Sequence, residues 1–182
     1  MKNVNWGSVE ESNFERVVPG GYICIISSVM DEEVKEYLKI EYDIAEGPLK
    51  DYYKNLYASK AFWGGSFIRS YKEAALGFFK SFLVALEKSN GNFRADAFNN
   101  EPQKLKRLLI GLVLGEEEYK ANDGSIKKRL YVAEVRSVDS IRKGDYKVPE
   151  LKKYQGNTKN ETASSSGFHP IDESVEDEEL PF

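Results

Sequence analysis

Tyr37-Leu38-Lys39-Ile40-Glu41-Tyr42-Asp43-Ile44 alternates without a slip, with Leu38, Ile40, Tyr42 and Ile44 on one side of an extended chain and Tyr37, Lys39, Glu41 and Asp43 on the other. A period of two with one apolar side predicts a half-buried antiparallel strand, which needs partners around a shared core. Upstream, Pro19-Gly20-Gly21 signals a turn and opens Tyr22-Ile23-Cys24-Ile25-Ile26-Ser27-Ser28-Val29, a β-branched strand bounded by Asp31-Glu32-Glu33. Downstream, Gly47-Pro48 stops the alternation. An aromatic-dense connection with Tyr52, Tyr53, Tyr57, Phe62 and Trp63 follows, and a third strand is expected from about Phe62 to Arg69, with Gly64-Gly65 marking a bulge.

Ser70-Tyr71-Lys72-Glu73 has the form of a capping box, and Tyr71, Ala75, Phe78, Phe79, Phe82 and Leu86 recur at helical spacing, so a helix is predicted up to Ser89-Asn90-Gly91. Those phenylalanines read as core. Glu101-Pro102 opens a short helix before the buried strand Leu108 to Leu114. Asn122-Asp123-Gly124 gives a hairpin turn, and Ile126 to Arg136 is the returning strand. The order β, β, β, α, β, β makes the fold mainly β (α+β). Five strands with a helix between strands 3 and 4 is the order of the OB-fold, a partly open barrel whose second and third strands and whose 1-2 and 4-5 loops grip oligonucleotides.

The 182 residues divide by composition. Residues 1–18 read as an N-terminal arm anchored by Trp6 and Phe14, residues 1–153 as the OB-fold nucleic-acid-binding domain, and residues 154–182 as a flexible linker and a disordered acidic tail closing on Asp177-Glu178-Glu179-Leu180-Pro181-Phe182. That ending buries too little apolar surface to fold alone and is suited to docking on a partner. From Tyr154 onward seven acids face one Lys159, a net of −6, which leaves 25 basic and 23 acidic residues, +2, for residues 1–153. A near-neutral body on an acidic tail is an asymmetry that goes with polyanion binding, although +2 is also ordinary. The linker from Gln155 to Pro170, if flexible, reaches about 20–25 Å.

Enzyme chemistry finds few components. His169 is the one histidine and Cys24 the one cysteine, so triads, Cys-His dyads and His- or Cys-based zinc sites lack members, and no glycine-rich phosphate loop occurs. Carboxylates alone could hold Mg²⁺, but outside Glu116 to Glu118 none clusters distinctively in the body. No enzyme, cofactor or metal is expected. No apolar run is long enough to span a membrane, and the N-terminus lacks the pattern of a secretory signal, so a cytoplasmic location is expected.

Several stretches resemble the single-stranded-DNA-binding proteins of bacteriophages and prophages of Gram-positive bacteria: Asn5-Trp6-Gly7, Gly20-Gly21-Tyr22, Glu36 to Ile40, Asp43 to Gly47, Phe62-Trp63-Gly64-Gly65 and Gly115 to Tyr119. The ending is similar to the acidic tip of bacterial single-stranded-DNA-binding proteins generally. The resemblance implies an OB-fold body that coats single-stranded DNA and a tail, Asp177 to Phe182, that recruits replication or recombination proteins. By analogy it also implies a possible homo-oligomer. Glu116-Glu117-Glu118 departs from it, since a DNA-binding loop favours basic residues there.

Single strands are held by cations on phosphates and by aromatic rings under bases. Lys127, Lys128 and Arg129 followed by Tyr131 are the best such interleaving; Tyr37 and Lys39 share the polar side of the second strand, and Trp63 and Arg69 belong to the third. The alternative places Trp63 and Tyr131 in the core, because in the last strand Leu130 and Val132 compete with Tyr131, Ala133 and Val135 for the inward side. The expected function is non-sequence-specific binding of single-stranded DNA in phage replication or recombination. The rival is an OB-like adaptor that binds replication proteins without strong DNA binding; a strand-annealing recombinase is a third possibility.

Overall fold

The structure, a computed structural model, describes residues 16–155. The expectations for the arm residues Trp6 and Phe14, for most of the linker and for Asp177 to Phe182 lie outside the described residues. The elements in chain order are β1 (Gly20–Glu32), β2 (Tyr37–Ile44), α1 (Tyr52–Lys60), β3 (Ser66–Ser70), α2 (Leu76–Ser89), β4 (Leu109–Lys120), β5 (Ile126–Arg136) and α3 (Val138–Arg142). They form a mostly β, five-stranded antiparallel sheet of order β3-β2-β1-β4-β5, with α2 between β3 and β4 in the chain. β3 and β5 are its two edges, and no ladder joins them among the described residues.

β1 is the strand around which the sheet is built. Its first half pairs with β4, from Gly20 opposite Leu114 to Ile25 opposite Leu109, and its second half pairs with β2 as far as Glu32 opposite Tyr37. One residue, Ser27, is extra between Ile26 and Ser28. Such a bulge shifts the alternation by one and bends the strand. Cys24 and Ile26 are therefore buried before it and Val29 after it.

The main core lies on the side of the sheet covered by α2, where Leu38, Ile40, Tyr42 and Ile44 of β2 meet Phe82, Leu83 and Leu86. α2 also contacts both edge strands, β3 and β5. A smaller cluster, Ile23, Val113, Val138 and Ile141, closes the opposite side under α3. Asn90 ties α2 to β4: its amide donates to the carbonyls of Leu86 and Leu109, both at 2.8 Å, and its Oδ1 accepts from the Leu109 amide at 2.9 Å.

Five local expectations are corrected. Of the α2 phenylalanines read as core, Phe82 is buried and Phe79 half-buried, but Phe78 is 57 % exposed. The aromatic connection contains a helix, α1, whose start is held from outside the segment by Asp43. The third strand begins at Ser66 rather than Phe62, and Gly64-Gly65 precede it. Gly65 is there for space, because a Cβ would stand 2.4 Å from the Tyr42 carbonyl oxygen and 2.6 Å from the Tyr53 ring. The capping box does not form. Ser70 ends β3, where its Oγ donates to the Glu36 carbonyl and accepts from the Lys72 amide, and α2 begins at Leu76 after a 3-10 turn over Glu73–Ala75. Glu116 to Glu118 lie inside β4, which runs on to Lys120, rather than in a loop.

Candidate nucleic-acid interface

The proposed contact residues separate into three places. The first is the outward side of β1, β2 and β3. Lys39 is opposite Met30 on one flank and Ile68 on the other, so one row across three strands reads Met30, Lys39, Ile68. Met30 is 46 % and Ile68 44 % exposed, which gives an open surface of two apolar side chains about a cation. Tyr37 lies on the same side, opposite Glu32 and Ser70, but is buried. Arg69 points the other way. It sits opposite Leu38, on the core side, with its guanidinium 4.9 Å above the Phe67 ring, and no ion pair forms with it among the described residues. Burial pulls its pKa down to about 10.

The second place is the end of the sheet where β2 leaves and β3 enters. Asp43, a buried carboxylate, accepts through Oδ1 from the amides of Ile44 and Tyr53 and through Oδ2 from Lys54. Tyr53 and Lys54 are in the first turn of α1, whose own cap residue Asp51 is left-handed and makes no side-chain cap. Two of the helix amides that lack partners within the helix are thus satisfied by one side chain from the sheet. α1 so anchored carries a ring cluster: Tyr53 packs edge-on against Tyr42 and Tyr52, and Trp63 lies 6.3 Å from both Tyr53 and Tyr57. Trp63 is half-buried and donates Nε1–H to the Gly65 carbonyl at 3.1 Å. Tyr53 is core, while Tyr57 is 56 % and Phe62 39 % exposed. Lys54 and Lys60 are exposed on the same helix.

The third place is the β4–β5 hairpin. Asp123 shapes its turn by accepting from the backbone amide and the hydroxyl of Ser125, and these bonds hold its carboxyl below the ordinary range. Each basic residue of the predicted strip has an acid beside it: Lys127 is 3.7 Å from Asp123, Lys128 3.2 Å from Glu116 and Arg129 2.8 Å from Glu117. Arg129 also lies over the Tyr119 ring. Two of the acids that departed from the expected pattern, Glu116 and Glu117, are therefore cross-strand partners of the cations, while the Glu118 carboxylate accepts the Tyr154 amide.

Tyr131 faces outward. Ala133 is extra between Val132 and Glu134, and this bulge lets Val132 and Val135 both turn to the core, which resolves the competing alternations of β5. Tyr131 is nevertheless covered: Pro149 packs near it at Gly115, and the Lys152 ammonium sits 4.0 Å above its ring. Lys152 is held by backbone bonds to Glu116 and Glu118, running parallel to β4.

The structure thus brings Lys127, Lys128, Arg129 and Tyr131 together and keeps them apart from Tyr37, Lys39, Trp63 and Arg69, with β1 and β4 between. Sequence reading missed Met30 and Ile68 and did not assign Tyr57 to the site; strand register and exposure together show them open. Among the described residues no group of three or more His, Cys, Asp or Glu could hold a metal, and no helix is long and apolar enough to cross a membrane. No protein-family model and no curated protein matches the chain.

Proposed function

We propose that the chain is a non-enzymatic, cytoplasmic single-stranded-DNA-binding protein of the phage and prophage kind, with an OB-type body and an acidic tail that recruits replication or recombination proteins. The observation that carries the reading is the set of half-open rings at the β2–β3 end, Tyr57, Phe62 and Trp63, next to Lys54 and Lys60. Bases stack on such rings without regard to sequence, and nearby cations meet the phosphates. The OB assignment is supported by the strand order, in which β1 pairs with both β2 and β4 as the shared strand of a small barrel does, and by the helix between β3 and β4. The Met30, Lys39, Ile68 row lies on the strand 2 and 3 surface that OB-folds use.

The adaptor reading is favoured by a different observation, the pairing of every cation of the Lys127 to Arg129 strip with an acid. The two are separated by titrating oligo-dT into the full chain at two salt concentrations, with tryptophan fluorescence from Trp6 and Trp63 as signal. The strand binder quenches on binding, prefers the single strand to duplex, and weakens with salt by about 0.7 in log-log slope per phosphate contacted. No preference, or no salt dependence, overturns it. Deleting Asp172 to Phe182 is expected to raise DNA affinity and abolish partner recruitment.

A further inference from the structure

A second cationic place, distinct from all three above, lies between α2 and the end of β5. Lys80, Ser81 and Lys88 belong to one stripe of α2 and face Arg136, Ser137 and Ser140 across a groove of about 310 Å³. The lining holds three cations and three hydroxyls and no carboxylate. The acids near it are already engaged: Glu134 takes the Arg136 Nη2 at 2.7 Å, Asp139 stands 3.9 Å from Arg142, and Glu87 stands 3.2 Å from Arg94. Lys80 and Lys88 form no ion pair among the described residues. The Arg136 Nε, shut off from solvent, has no hydrogen-bond partner there. The Ser137 and Ser140 hydroxyls are 3.0 Å apart. In the hairpin, by contrast, cations and acids cancel in pairs.

Cations with adjacent hydroxyls are the donors that phosphate recognition uses; Glu134 already holds Nη2 of Arg136, so Lys80 and Lys88 supply the open charge. A carboxylate ligand would suit the charge as well, but two lysines on one stripe of α2 offer two separate points of charge along a strand, where a carboxylate would engage one. We propose that the α2–β5 groove is a phosphate-binding site that takes adjacent backbone phosphates of a nucleic-acid strand. This rests on the strand-binding reading. It gives the strand a second foothold, on the part of the body away from the β2–β3 rings, through two lysines of α2 that form no ion pair among the described residues.

The test compares the full chain with Lys80→Gln/Lys88→Gln and with the charge-keeping Lys80→Arg/Lys88→Arg. Both lysines are exposed, so melting curves of the variants should overlay the wild type. The salt slope for oligo-dT should fall by about 1.4 in the Gln variant, two contacts at about 0.7 each, and be restored in the Arg variant. A slope unchanged in the Gln variant, where the wild type does bind oligo-dT, overturns the proposal. In parallel, inorganic tripolyphosphate is titrated while the amide resonances of Ser81, Ser137 and Ser140 are followed. Saturable shifts lost in the Gln variant support the groove as a phosphate site even if oligo-dT does not bind, in which case only the strand reading falls. No shift with tripolyphosphate and no binding of oligo-dT overturns both.

Discussion

The Asp43 carboxylate accepts the Tyr53 amide at 2.9 Å, so a strand residue caps a helix that starts nine positions later in the chain. With Lys54 and Ile44 it makes three bonds from a 4 % exposed side chain. Asp43→Asn keeps the shape but replaces one acceptor by a donor pointing at an N–H. It is expected to cost about 1.5–3 kcal/mol, the range for a hydrogen bond to a charged group, in denaturant unfolding monitored by circular dichroism. A loss below 0.5 kcal/mol on that scale would refute the capping role.

The exposed rings can be removed without opening the core. Tyr57→Ala and Phe62→Ala should each weaken oligo-dT binding by about 1–3 kcal/mol if they stack bases, with melting temperatures little changed. Tyr53→Ala, by contrast, should destabilise the fold, since that ring packs on Tyr42, Tyr52 and Trp63. Equal affinity of the Tyr57 and Phe62 variants and the wild type would move the strand away from the β2–β3 end.

The hairpin pairs give a prediction of opposite sign. Removing the acids as Glu116→Gln/Glu117→Gln frees Lys128 and Arg129 at little cost in stability, since exposed ion pairs contribute about 0.2–1 kcal/mol. A strand binder should then hold oligo-dT more tightly and with a steeper salt slope, and Lys127, Lys128 and Arg129 changed together to Ala should weaken it. If affinity ignores both changes, the hairpin is outside the DNA path.

Arg69 holds a charge on the core side without an ion pair among the described residues, and burial has already pulled its pKa down to about 10. Arg69→Met keeps the stem that packs on the sheet and removes the charge. We expect it to raise stability by about 1 kcal/mol in chemical denaturation. If Arg69 also meets phosphate, the same variant loses DNA affinity, a trade of stability for function.

The tyrosines carry a pH signature. Burial pushes Tyr53 up to about 12 and Tyr42 further, and the bond from Tyr71 to Asp31 raises Tyr71 to about 12. An unfolded tyrosine titrates near 10, so the folded state binds these protons more tightly. Their contribution to stability is complete below pH 10 and is lost as pH rises from 10 to 12. Burial raises Tyr22 too, and tyrosinate absorbance should show these four of the eleven tyrosines ionising above pH 10 while circular dichroism remains native. Simultaneous titration of all eleven in the folded chain would contradict the packing around them.

The chain by itself determined what repeats along it. The alternation from Tyr37 to Ile44 set β2 to the residue and put Leu38, Ile40, Tyr42 and Ile44 in the core; Asp123-Gly124 set the last hairpin, and β5 runs from Ile126 to Arg136 as expected. Those features follow from a period of two and from turn chemistry, both local. Tertiary structure decided what depends on residues far apart in sequence. α1 carries no cap of its own, and its start waits on Asp43; the two bulges at Ser27 and Ala133 displaced the alternation where the sheet bends; the acids of β4 came to face the cations of β5. Local reading counts charges but does not pair them, and so it saw a basic strip in the hairpin. Lys80 and Lys88, which form no ion pair among the described residues, come to face Ser137 and Ser140 only when α2 packs beside the end of β5.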